Sequence, residues 1–238
     1  MAGKFFGIGV GPGDPELITV RGRRVLASVP VVAVPISRPG EASLALRAVR
    51  PWLSGEQEIL ELLLPMLRAE AELEAAWERA AGELLKRLRR ELDVAFLTLG
   101  DGGLYSTYGY LLPRLRRAVP DLEIETVPGV PSFCAAAARF NLALAQGAEP
   151  LAVLPSAEDL EELRLLLRTF PNLVLMKVHR RYPEILRVLE EEGRLGEAVF
   201  ASRCGWPEER LVRDLKEDGV GLEPDYLSLI IVKGEGHR

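Results

Sequence analysis

The stretch Lys4-Phe5-Phe6-Gly7-Ile8-Gly9-Val10-Gly11-Pro12-Gly13-Asp14-Pro15 constrains this chain more than any other. An apolar run passes without a break into a glycine-rich turn. Pro15-Glu16-Leu17 then has the make-up of a first helical turn, with proline where no N–H is needed and glutamate near the positive end of the dipole. Strand, loop and helix start are therefore adjacent. Glycines at alternate positions leave the main chain bare, so that either a ligand or a neighbouring segment can approach where a side chain would collide.

The spacing argues against a phosphate cradle. In the dinucleotide pattern G-x-G-x-x-G the third glycine would fall on Pro12, Asp14 or Glu16, depending on where the count starts. A nucleotide P-loop fails as well, because no G-x-x-x-x-G-K-[ST] is present and Asp14 would set a carboxylate where phosphate should lie. The next apolar strand, Val31-Val32-Ala33-Val34-Pro35, ends without an acidic residue to hold a ribose.

A chain of 238 residues suits two small α/β domains or one large one. Its net charge of -5 gives no reason to expect nucleic-acid affinity, so any anionic ligand has to meet a local basic patch. Cys134 and Cys204 are far apart and belong to no C-x-x-C or histidine cluster, which indicates neither a disulfide framework nor a metal site and suits a cytoplasmic setting. No apolar run reaches the roughly 20 residues that cross a bilayer, so neither export nor membrane insertion is expected.

Helical periodicity is clearest over residues 69–92, where Leu73, Trp77, Ala80, Leu84 and Leu88 share a face. Further helices are expected over 15–28, 41–49, 105–119, 132–140 and 183–192, and another opened by the capping pattern Ser156-Ala157-Glu158-Asp159. Apolar strands are expected over 29–35, 93–99, 124–127, 151–154, 173–178, 198–202 and 227–232, with a loose tail from Gly234 to Arg238. Strand alternating with helix implies an α/β fold with mostly parallel sheets, whose ligands sit beyond the carboxyl ends of the strands.

Three loops stand at such ends: Gly9 to Asp14, Gly100 to Tyr108, and Pro128 to Phe133. In the middle one Asp101 directly follows a buried strand and precedes Gly102-Gly103. An acidic side chain beside open carbonyls suits a cationic or amine-bearing ligand. The other reading is an aspartate that caps the next helix.

Gly9-Val10-Gly11-Pro12-Gly13-Asp14, Leu99-Gly100-Asp101 with Tyr105-Ser106-Thr107-Tyr108, and Val127-Pro128-Gly129-Val130 with Ser132-Phe133 together resemble the tetrapyrrole methylase family. Leu104 to Tyr108, Leu175-Met176-Lys177-Val178 and Ser202-Arg203-Cys204-Gly205 are most similar to its branch acting at C20 of precorrin-2 or cobalt-factor II in cobalamin biosynthesis. The resemblance covers nearly the whole chain. It implies two α/β domains with the active-site cleft between them, residues 1–120 on the tetrapyrrole side and 121–238 on the cofactor side, and a homodimer. It also implies S-adenosylmethionine as methyl donor. Carried over by position, the cofactor contacts are Pro12, Leu99, Gly100, Asp101, Leu104, Pro131, Ser132, Met176, Lys177, Cys204 and Gly205. Many relatives carry proline directly after this aspartate, where here Gly102 stands.

The implied acceptor is a macrocycle rich in carboxylates, with Tyr105, Ser106, Tyr108 and Arg21 as the residues to position it. Arg24, Arg38, Arg180 and Arg181 are further cations of suitable planar geometry. His179 is the only internal histidine, and no proton acceptor can be named. The strand ending Val34-Pro35 lacks the aspartate that the uroporphyrinogen-methylating branch carries there. The alternatives are a methylase for another ring carbon, a diphthine-type methylase, or a non-catalytic tetrapyrrole-binding protein.

Overall fold

The computed structural model describes residues 2–65 and 69–234, so the expected tail lies outside it from residue 235 onward. The chain divides into two compact units between Pro131 and Ser132. The first contains β1 (Phe5–Gly9), α1 (Val20–Ser28), β2 (Val31–Ile36), α2 (Leu44–Val49), β3 (Glu58–Leu63), α3 (Glu70–Leu88), β4 (Val94–Thr98), α4 (Tyr108–Ala118) and β5 (Ile124–Val127). Its strands run in the order β3-β2-β4-β1-β5, every pair parallel.

Continuous apolar sequence is what a sheet covered on both faces requires. Phe5, Val31, Ala33, Val94 and Phe96 face Ala80, Leu84 and Leu88 of α3 and Leu111 and Leu115 of α4. On the other side α1 and α2 pack against β1, β2 and β4.

Several expected boundaries move. The division expected at residue 120 falls later because β5 pairs with β1 in parallel, which keeps residues 121–131 with the first sheet. The helix expected over 15–28 is two pieces. Asp14 Oδ1 accepts from Glu16 N at 2.8 Å and caps a single 3₁₀ turn, Pro15–Leu17. Thr19 is extended, and its Oγ1 accepts from Gly22 N at 3.0 Å to start α1 afresh. Two capping side chains so close together define two starts. The helix expected from Tyr105 begins at Tyr108, because Tyr105 has φ +49° and Ser106 Oγ accepts from Tyr108 N at 3.1 Å.

The second unit contains α5 (Ser132–Phe140), β6 (Leu151–Leu154), α6 (Leu160–Thr169), β7 (Asn172–Met176), α7 (Tyr182–Glu191), β8 (Ala198–Ser202), β9 (Arg210–Val212) and β10 (Ser228–Lys233). Its strand order is β6-β7-β10-β8-β9. Only β6 and β7 pair in parallel here. Among the described residues no helix follows β8, so nothing carries the chain back for another parallel strand. Instead β9 returns along β8, and β10 lies between β7 and β8 antiparallel to both. The start of α6 is capped by Asp159, whose Oδ1 accepts from Glu161 N and Glu162 N, rather than by Ser156. Leu163, Leu167, Leu173, Leu175, Ile185, Leu189, Phe200 and Ile230 form the core of this unit.

Candidate active site

In the first unit, the loops leaving β1, β4 and β5 meet main chain to main chain. Gly11 and Gly100 form an isolated antiparallel bridge, Gly11 N donating to Gly100 O at 3.2 Å and Gly100 N to Gly11 O at 2.7 Å. A Cβ on Gly129 would lie 2.2 Å from Gly100 O, and one on Gly9 would lie 2.6 Å from Gly129 N. Gly9 is thus taken up by a neighbouring segment. Gly100 differs. It needs glycine for its φ of +76°, yet a Cβ there would meet nothing within 4 Å, so open space lies over its main chain. Partly buried Leu99 and Leu104 flank that opening in sequence, and Pro12 is buried in the opposing loop.

Asp101 neither caps α4 nor leaves a carboxylate oxygen unengaged. Its Oδ1 accepts from Gly103 N at 2.8 Å and its Oδ2 from Gly129 N at 2.8 Å. Ser106 Oγ turns inward to Thr98 Oγ1 at 2.7 Å. Tyr108, expected to position the macrocycle, is instead a core residue: it is 2 % exposed and its hydroxyl meets Thr126 Oγ1 at 2.6 Å. Burial pushes that phenol above its ordinary range, with the Thr126 hydrogen bond pulling the other way. The helical start placed it at α4's first turn, but which face it took was not in the local sequence. Tyr105, by contrast, is half exposed.

Arg21 already has an anionic partner. Its Nε and Nη2 donate to the two carboxylate oxygens of Glu125 at 2.7 Å each, and Lys4 Nζ lies 3.2 Å from the same carboxylate. Arg23, not singled out by sequence, carries its guanidinium 4.0 Å from the ring centroid of Trp52. The indole is held in turn, its Nε1 donating to Pro15 O at 2.9 Å. Among the described residues no acidic side chain pairs with Arg23.

In the second unit the ends of β7 and β8 both turn through left-handed residues that are not glycine, Lys177 at φ +54° and Arg203 at φ +49°. Each hangs from the start of β10: Lys177 N donates to Ser228 O at 2.8 Å, Arg203 N to Leu227 O at 2.9 Å. Asp225 organises the turn between them. Its Oδ1 accepts from Leu227 N at 2.9 Å and Ser202 Oγ at 3.2 Å, and its Oδ2 pairs with Arg203. Lys177 Nζ lies 5.5 Å from the centroid of the Tyr226 ring, and His179 meets that ring edge-on at 5.7 Å. Neither Asp225 nor Tyr226 was found from sequence, because both sit in an irregular stretch without a spacing pattern.

Met176 and Lys177 are partly exposed and Cys204 is 6 % exposed. The Cys204 thiol is hydrogen-bonded to Glu209, which also accepts from Gly205 N at 2.8 Å and from Arg139 at 2.6 Å. Burial pulls the Glu209 carboxyl upward, but those three donors outweigh it and hold it below its ordinary value. Arg180 and Arg181 are engaged by Glu158. Among the described residues no group of three or more His, Cys, Asp and Glu could hold a metal ion.

The family of Tetrapyrrole (Corrin/Porphyrin) Methylases matches residues 4–218. The chain belongs to the tetrapyrrole methylase family. As a tetrapyrrole methylase it is 38 % identical over 232 residues to the cobalt-precorrin-2 C(20)-methyltransferase of Salmonella typhimurium, covering 98 % of this chain and 97 % of that one. It is 34 % identical to the probable cobalt-precorrin-2 C(20)-methyltransferase of Methanocaldococcus jannaschii, covering 97 % and 96 %. The uroporphyrin-III C-methyl transferase of Thermus thermophilus, solved in complex with S-adenyl homocysteine, superposes with a TM-score of 0.69 at 26 % identity, covering 97 % of this chain and 92 % of that one.

Proposed function

We propose that the protein is an S-adenosylmethionine-dependent methyltransferase acting at C20 of precorrin-2 or its cobalt complex, in cobalamin biosynthesis. The observation that carries this reading is similarity along nearly the whole chain to relatives named for that reaction. The residues present fit such a donor: open space lies over the Gly100 main chain, and apolar Leu99 and Leu104 are partly exposed beside it. When bound, S-adenosylmethionine supplies a methyl group already activated by positive sulfur.

The protein's own task is then alignment and exclusion of water rather than generation of a nucleophile. In the first unit we assign cofactor contacts to Pro12, Leu99, Gly100, Leu104 and Pro131, and in the second to Ser132, Met176, Lys177 and Gly205. Cys204 acts there through Glu209, which braces Gly205. For the macrocycle, half-exposed Tyr105 remains a candidate, and Arg23 takes the place that Glu125 denies to Arg21. A flat guanidinium already stacked on Trp52 loses little freedom when it meets a carboxylate. The protein is expected to act as a homodimer in the cytoplasm.

Incubation with S-adenosylmethionine and either macrocycle, followed by NMR of the product, tests the reaction. Methylation at another carbon moves the protein to a sister activity, and failure to bind S-adenosylhomocysteine removes the methyltransferase. Sedimentation velocity tests the dimer.

A further inference from the structure

We infer that Asp101 is a positioning residue: its carboxylate holds the loops after β4 and β5 together through two main-chain amides and does not itself touch the methyl donor. The inference rests on the proposed function and deepens it. Gly9, Gly100 and Gly129 meet as bare main chain, and none of them has a side chain to fix its spacing from the others. The carboxylate supplies what they lack. One oxygen closes the turn onto Gly103 N and the other reaches 28 residues along the chain to Gly129 N, both at 2.8 Å. Each is a charge-assisted bond to an amide, stronger than a neutral one. Gly100, whose face is open, directly precedes Asp101 in sequence, and its O would lie 2.2 Å from a Cβ on Gly129, so its placement depends on how that carboxylate is held.

A carboxylate that met the donor's amino group directly would predict something different. The two cases separate with a pair of thioethers: S-adenosylhomocysteine, which carries the amino-acid end, and 5′-methylthioadenosine, which lacks it. An Asp101→Asn side chain offers a single acceptor oxygen and turns an N–H donor toward the second amide. Calorimetry is expected to show Asp101→Asn weakening both ligands by the same factor, on the order of tenfold. Weakening of S-adenosylhomocysteine alone, or of neither ligand in a folded variant, overturns the inference.

Amide hydrogen exchange in the wild-type protein decides the matter independently of whether the variant folds. Gly103 and Gly129 are expected to exchange slowly without ligand, and exchange at the unprotected rate at either position overturns the inference. A wild-type protein that binds neither thioether fails the proposed function instead, and the exchange data still report on the bridge.

Discussion

The ring of Tyr108 occupies the space that a side chain on Gly7 would need, since a Cβ there would lie 2.1 Å from Cε2 of the ring. The two positions are one packing unit. Phe5 and Phe96 stack against the same ring with centroids at 6.0 and 6.3 Å, so it has nowhere to go. Gly7→Ala is expected to cost about 1–3 kcal/mol in urea unfolding through overpacking. Tyr108→Phe keeps the ring and loses only the bond to Thr126, a cost of about 1 kcal/mol. Because the phenol is buried, Tyr108→Phe should leave KM for the macrocycle unchanged. A large rise in KM would return Tyr108 to the substrate site.

Arg23 and Arg21 lie on one short helix but face different company. The Glu125 carboxylate, drawn below its ordinary value first by Arg21 and then by Lys4, already occupies the Arg21 fork. Arg23→Ala is therefore expected to raise KM for the macrocycle on the order of tenfold, with S-adenosylhomocysteine affinity unchanged. Arg21→Ala should have the smaller effect on KM. Steady-state kinetics with the order of the two effects reversed would show that substrate displaces Glu125.

Much of the fold was open to inspection in the sequence because its strands are uninterrupted apolar runs and its helices carry a stripe. The strand β5 and helix α5 fall on the expected residues. What escaped was whatever depends on partners distant in sequence. The edge strand β3 exposes Glu58, Ile59 and Leu63, so its pattern reads neither as a buried run nor as a clean alternation. The second partner of Asp101 and the partner of Arg21 lie 28 and 104 residues away, beyond any local motif. The bare main chain of the glycine loop was legible in the sequence, yet only the structure shows that Tyr108 and Gly129 take up the room left by Gly7 and Gly9.

Glu149 ties the stretch before β6 to the end of β10. It pairs with Lys233, which is 5 % exposed, and accepts from Gln146 N at 3.0 Å and Asn172 Nδ2 at 3.1 Å. Lys233 chiefly, then the Gln146 amide, lower its carboxyl from 4.5 to about 2. A carboxylate lowered in the folded state stabilises above its unfolded value, and that contribution disappears as the pH falls through the folded one. Melting temperature should therefore decline as the pH drops from 4.5 towards 2. Glu149→Gln should be less stable near neutrality, because it leaves a buried ammonium without its partner. It should also lose this part of the acid dependence. An unchanged slope in the variant would assign the acid sensitivity to other carboxylates.

Arg203 and Asp225 show how a strained turn is kept. A left-handed residue with a side chain costs about 1–2 kcal/mol relative to the right-handed alternative. Arg203 is held there by its N–H on Leu227 O and by its ion pair with Asp225, which also fastens Ser202 and Leu227 N. Asp225→Ala removes the fastening and leaves the strain, so a loss of about 1–3 kcal/mol is expected in denaturant unfolding. Arg203→Gly removes the left-handed penalty together with the pair and, alone, should be nearly neutral. In the Asp225→Ala background it should recover part of the loss, since the turn then needs no anchor for its backbone angle. The double variant should nonetheless bind S-adenosylhomocysteine less tightly than wild type, because a glycine at this position lets Cys204 and Gly205 wander. Full additivity of the two substitutions in stability would mean that the ion pair does not hold the turn.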